Sequence, residues 1–96
     1  MTDKPVPRLA DLRFQIDRVD RSLLDLLNAR AEIVIEIQDL KREIGLPPYS
    51  AAREHEILER LRTANQGPLP DEAVEDIFLR ILRHSLSSLV PSQSDE

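Results

Sequence analysis

Arg30 and Lys41 are the residues whose type and placement point most directly to chemistry, and the chemistry they could do is the binding of a small dianion. From Leu9 the residues Leu12, Ile16, Val19, Leu23, Leu26, Arg30, Ile33, Ile37, Leu40 and Ile44 follow at alternating steps of three and four. This heptad spacing lays them along one stripe of a helix. Only Arg30 in that series is not apolar. A guanidinium cannot shed its charge to escape burial, so in the stripe it must meet an anion, either a carboxylate side chain or a bound ligand. Lys41 lies eleven residues further on, which is three helical turns to within about 20° and roughly 16 Å along the axis. Both cations therefore point the same way, and their long side chains, leaning together, would hold opposite ends of a small dianion. Arg13 sits on a neighbouring row roughly 25 Å along the axis from Arg30, too far to share a small ligand within one helix. In an antiparallel pair of such helices, Arg13 of the other chain comes alongside.

Composition excludes most other chemistry. The 96 residues include no cysteine and two separated histidines, so there is no thiolate nucleophile, no disulfide framework and no metal-ligand spacing. Neither a metal nor another cofactor is expected. With 13 basic and 18 acidic residues the net charge is −5, which argues against a general nucleic-acid binder and makes any anion site a local one. Charges occupy the start of the chain where a signal peptide needs an apolar core, and no apolar run approaches membrane-spanning length. A soluble, cytoplasmic protein with no membrane contact is the expectation.

Three helices must position these cations. Pro5 and Pro7 precede the periodic stretch, which ends at Gly45 before Leu46, Pro47 and Pro48, so the first helix is predicted over roughly residues 8–44. Ser50 stands where an N-cap belongs, ahead of a short second helix carrying Ile57, Leu58, Leu61 and Ala64. Asn65, Gln66, Gly67 and Pro68 break it. After Pro70 the acidic pair Asp71 and Glu72 suits a helix N-terminus, leading into Val74, Ile77, Phe78, Ile81, Leu82, Leu86 and Leu89 with Ser85 as the polar intruder. Residues 1–7 and 91–96 are expected to be flexible ends around one helical domain at 8–90.

That first helix would be about 55 Å long, more than two short helices can cover. A second apolar set, Phe14, Leu24, Leu27, Ala31, Val34 and Ile35, flanks the seam and widens it. A chain this small buries only about 60–65% of its unfolded surface, so a monomer would be marginal. An antiparallel copy of the same helix is the natural cover, because closed two-fold pairing needs only one sequence.

Taken together, these residues resemble the small all-helical chorismate mutases. The resemblance rests on Leu12, Arg13, Ile16, Asp17, Asp20, Arg30, Lys41, Gly45 to Tyr49, Arg53, Glu54 and Ser85, and covers roughly residues 8–89. It implies an all-α fold of one long and two short helices, intertwined as an antiparallel homodimer with two equivalent sites. It implies isomerisation of chorismate to prephenate, the branch step toward phenylalanine and tyrosine. Arg30 and the other chain's Arg13 would clamp the two carboxylates, and Lys41 would face the breaking ether oxygen and one carboxylate. Glu54 would accept the ring hydroxyl, Arg53 would support the neighbourhood and Ser85 would line the pocket. A pericyclic rearrangement needs no nucleophile, metal or obligatory proton transfer, so the absence of Cys and catalytic His is no obstacle.

The chain departs from the family pattern at two of the expected contact positions. Ser50 stands where many members carry an acidic residue against the ring hydroxyl, and Leu89 where Gln or Glu commonly donates to the ether oxygen. A missing donor to developing charge typically costs about 10²–10³ in rate, so Leu89 predicts a slow mutase or a relative acting on another substrate. Isochorismate pyruvate lyase or aminodeoxychorismate mutase chemistry would use the same clamp. A non-catalytic dimeric module that regulates an aromatic-pathway enzyme is the alternative of a different class. Each residue alone also has a plain structural role. Arg30 would fix interface register, Lys41 would complement a helix dipole, Ser50 would be an N-cap, Arg53 and Glu54 would be a surface pair, and Ser85 would bond back to its own helix.

Overall fold

The computed structural model describes residues 4–89, with the side chain of Leu89 left out. It contains α1 (Pro5–Ile44), α2 (Ala51–Ala64) and α3 (Asp71–Leu89), and no strand occurs among the described residues. The all-α class and the three-helix order follow the sequence expectation. Residues 1–3 and 90–96, which hold most of the two ends expected to be flexible, lie outside the described residues.

The helix boundaries show which local signals decide. α1 starts at Pro5, three residues ahead of its predicted start, and the Arg8 N–H donates to the Lys4 carbonyl at 3.0 Å. Pro5 and Pro7 fall in the first turn, where a backbone N–H has no helical acceptor, so prolines open the helix instead of delaying it. α1 ends where predicted. Gly45 takes φ 80°, and the Leu46 N–H reaches back to the Lys41 carbonyl at 2.8 Å. That long return bond with a left-handed glycine satisfies a terminal carbonyl and turns the chain away.

Ser50 is the N-cap of α2: its backbone is extended and its Oγ accepts the Arg53 N–H at 3.1 Å. Asn65 closes the other end. Its N–H donates to Leu61, its Nδ2 donates to the Leu69 carbonyl and to Asp71 Oδ1, both at 2.8 Å, and its Oδ1 accepts the Gly67 N–H at 3.1 Å. One side chain thus ties the whole α2–α3 connection.

The chain divides into two compact units at Glu32 and Ile33. The described part of the first unit is one helical stretch whose seam is bare: Ile16, Val19, Leu23 and Leu26 are each 52–68% exposed. In the second unit α2 and α3 pack together. Cross-helix pairs between Glu54 and Arg83 and between Arg62 and Glu75 show that they run antiparallel. Ile57, Leu58 and Leu61 are half-buried on α2, as are Val74, Phe78, Leu79, Ile81 and Leu86 on α3, where Leu82 is buried. Within this unit Ile33, Ile37 and Leu40 of α1 stay 46–57% exposed.

Candidate functional site

The cap at Gly45 lets the chain reverse, and the next carbonyl to meet α1 is that of Pro48. Lys41 Nζ donates to it at 3.0 Å and Gln38 Nε2 at 3.2 Å. A carbonyl oxygen has two lone pairs and both are used. Gln38, at 6% exposure, is the one buried polar residue among the described residues, and Lys41 is half-buried. They share a face because three residues separate them, close to one helical turn. An ammonium carries three protons, so Lys41 held at Pro48 keeps two donors for an incoming anion.

One residue after that carbonyl comes Tyr49, whose hydroxyl donates to Glu54 Oε1 at 3.1 Å. The other oxygen of Glu54 meets Arg83 Nε of α3 at 3.5 Å. Glu54 sits in the first turn of α2 because Ser50 fixes the helix start four residues before it, the Glu54 N–H donating to the Ser50 carbonyl at 3.0 Å. The carboxylate is the sheltered end of this cluster, its side chain 15% exposed against 60% for Arg83. The bond to Glu54 pushes the Tyr49 phenol above its ordinary pKa; partial burial and the Glu54 charge add to this, and the Arg83 charge opposes it.

The other expected residues show separate contacts. Arg53 does not pair with Glu54: its Nη1 donates to Glu56 Oε1 at 2.8 Å along the exposed side of α2. That bond, with the Arg60 and Arg53 charges, holds Glu56 below the usual carboxylate range. Ser85, half-buried on α3, donates its Oγ to the Ile81 carbonyl at 2.8 Å, the back-bonding pattern of a helical serine. Leu89 is the last residue of α3, and its side chain lies outside the described ones. Arg13 and Arg30 belong to the first unit, Arg13 exposed and Arg30 half-buried. No cluster of His, Cys, Asp and Glu able to hold a metal occurs among the described residues.

Three residues of these clusters were not among the expected contacts: Gln38, Tyr49 and Arg83. Gln38 shares the face of Lys41, a signal open to a helical-wheel argument. Tyr49 meets Glu54 five residues on, from the position before the N-cap to the first turn of α2, whereas Arg83 acts across two helices and its partner cannot be assigned from local spacing.

The profile of the family described as chorismate mutase type II matches residues 12–88. The T-protein of Enterobacter agglomerans is 42% identical over 84 residues, covering 86% of this chain and 22% of that protein. The bifunctional chorismate mutase/prephenate dehydratase of Aquifex aeolicus is 37% identical over 83 residues, with 82% and 23% covered. The chain thus spans less than a quarter of the length of these two curated relatives. A solved structure of the chorismate mutase (Form II) of Thermus thermophilus superimposes with a TM-score of 0.84 at 40% identity, covering 93% of this chain and 99% of that one.

Proposed function

We propose that this chain, which belongs to the chorismate mutase type II family, isomerises chorismate to prephenate. One observation carries this: the family match over residues 12–88 contains every expected contact residue except Leu89, and the Thermus chain of the same fold is matched over 99% of its length.

The reaction breaks one carbon–oxygen bond and forms one carbon–carbon bond within a single molecule, with no net proton movement. What a protein can add is a fixed conformation and charge complementary to the transition state. Arg30 and the partner subunit's Arg13 clamp the two carboxylates, for which a planar guanidinium fork is suited. Lys41, already anchored at Pro48, directs its remaining donors to the ether oxygen as negative charge grows there, the interaction that lowers the barrier. Glu54 accepts the ring hydroxyl. Ser50 serves this arrangement as the cap that starts α2, while Arg53 supports the rim and Ser85 lines the pocket.

The active species is a homodimer. The support is the bare seam of α1, since apolar residues more than half exposed along a heptad stripe need a partner helix. The substrate is a small dicarboxylate of a biosynthetic pathway, and we place the enzyme in the cytoplasm; no helix among the described residues is long and apolar enough to cross a membrane. The bifunctional relative joins its mutase and dehydratase names in one longer protein, which supports a second enzyme of the aromatic pathway as a partner.

Adding purified protein to chorismate and following its ultraviolet absorbance tests the proposal. Loss of the chorismate band with prephenate identified by chromatography is the expected result. Formation of a lyase product, or binding without turnover, would overturn it.

A further inference from the structure

Two Arg–Glu pairs bridge α2 and α3 with opposite polarity. Glu54 of α2 meets Arg83 of α3, and Arg62 of α2 meets Glu75 of α3, with Arg62 Nε donating to Glu75 Oε2 at 2.6 Å. Each helix advances eight residues between the pairs, so the two clamps fix one antiparallel register. The Arg62–Glu75 pair holds that register, and Arg62 also meets Glu59 of its own helix at 3.5 Å. The Glu54–Arg83 pair differs in that its carboxylate is the more sheltered of the two, 15% exposed against 28% for Glu75. It differs also in that the second Glu54 oxygen is taken by Tyr49 at 3.1 Å. Tyr49 follows directly on Pro48, the residue that Lys41 and Gln38 hold. Glu54 is therefore fixed from α3 on one side and from the Lys41 loop on the other.

An ionised carboxylate offers about four lone-pair directions, and Tyr49 and Arg83 occupy two of them. The others remain for a ligand.

We infer that Arg83 is a positioning residue for the reaction: with Tyr49 it orients Glu54 as the acceptor of the substrate's ring hydroxyl. This rests on the chorismate reading above. The ring hydroxyl belongs to neither the bond that breaks nor the bond that forms, so its hydrogen bond is worth nearly the same in the bound substrate and the transition state. Loosening Glu54 should then raise KM and leave kcat close to the parent's.

The experiment measures steady-state kinetics and thermal unfolding of the intact protein and of Arg83→Gln, Arg83→Lys, Arg62→Gln, Glu54→Gln and the Glu54→Gln/Arg83→Gln double variant. Arg83→Gln should raise KM for chorismate roughly tenfold, the size expected for a weakened bond to a charged group. Arg83→Lys should restore part of that loss. Arg62→Gln removes the twin clamp and should leave the kinetics unchanged. In the Glu54→Gln background Arg83→Gln should add no further loss, because its target is gone. An Arg83→Gln profile equal to that of Arg62→Gln, or penalties that simply add, would overturn the assignment alone. Absence of chorismate turnover by the parent protein would overturn the functional reading and this assignment with it.

Discussion

The ammonium of Lys41 and the carboxamide of Gln38 donate to the same oxygen, the Pro48 carbonyl, at 3.0 and 3.2 Å. The cation proposed to meet the ether oxygen is therefore placed by a loop carbonyl that a buried amide also holds. This sharing separates the two residues experimentally. Lys41→Met should reduce kcat by about 10²–10³ by removing charge from the ether oxygen, while Gln38 keeps the loop in place. Gln38→Met should cost about 1 kcal/mol of stability and only a modest part of the rate, because Lys41 still holds Pro48. Kinetics alongside chemical denaturation of both variants check the split. Equal kinetic losses in the two would mean that Lys41 acts only through the loop.

Arg13 and Arg30 give a test of assembly. Either change to Ala should abolish turnover. Mixing the two inactive proteins should restore about a quarter of the parental activity if exchange is random, since half of the dimers are mixed and each of those holds one intact site. Verified subunit exchange without recovery would rule out a site shared between chains. The unfolding midpoint of the parent should also rise with protein concentration, as it does when folding and association are one equilibrium.

Tyr49 is the sole tyrosine and the chain has no tryptophan, so its near-ultraviolet absorbance reports one phenol. The raised pKa, caused first by the bond to Glu54, means that the folded protein favours the neutral phenol more than the unfolded chain does. Its contribution to stability is fully present below the ordinary tyrosine pKa and is lost as pH rises through the raised one. Glu54→Gln should move the spectroscopic titration to lower pH, toward an ordinary tyrosine. A titration unchanged by that substitution would show that the Tyr49–Glu54 bond does not persist in solution.

Leu89 defines the last test. If the absent donor to the ether oxygen limits the rate, Leu89→Gln should raise kcat more than it lowers KM, with an upper bound of about 10²–10³. An amide without a bound ligand should at the same time cost the free protein about 1–3 kcal/mol if buried. Activity would rise as thermal stability falls. A Gln variant no faster than the parent, with its fold intact, would show that the second donor is supplied elsewhere.

Punctuation makes most of the fold legible in the sequence. Gly45, Ser50, Gly67 and Pro70 mark chemical stops and starts that act within a few residues, and the breaks between helices fall where they indicate. Pro5 and Pro7 misplaced one boundary because proline is read as a breaker, although in a first turn its missing N–H costs nothing. In the candidate site, Lys41 stood out by type and spacing, and Glu54 only through the family resemblance. What placed them did not. Arg83 meets Glu54 across 29 positions of sequence, and only the antiparallel pairing of α2 and α3 makes those positions neighbours. Arg53 shows the reverse, since adjacency to Glu54 suggested a pair while the helix turns its guanidinium to Glu56.

The Asn65 side chain that binds both flanks of the α2–α3 connection has a consequence for how the molecule is made. Contacts between these two helices all close over this one connection, and a turn held by a single residue lowers the entropy of closing them. The hairpin can form in an isolated, newly released polypeptide on a timescale indifferent to how much protein surrounds it. If the homodimer proposed above covers the seam of α1, that seam has no such local remedy and waits for an encounter. Refolding should accordingly separate into an early phase independent of protein concentration and a later one that quickens as the solution is made more concentrated. The interval between them is when the exposed stripe of leucine, isoleucine and valine is most open to the wrong neighbour.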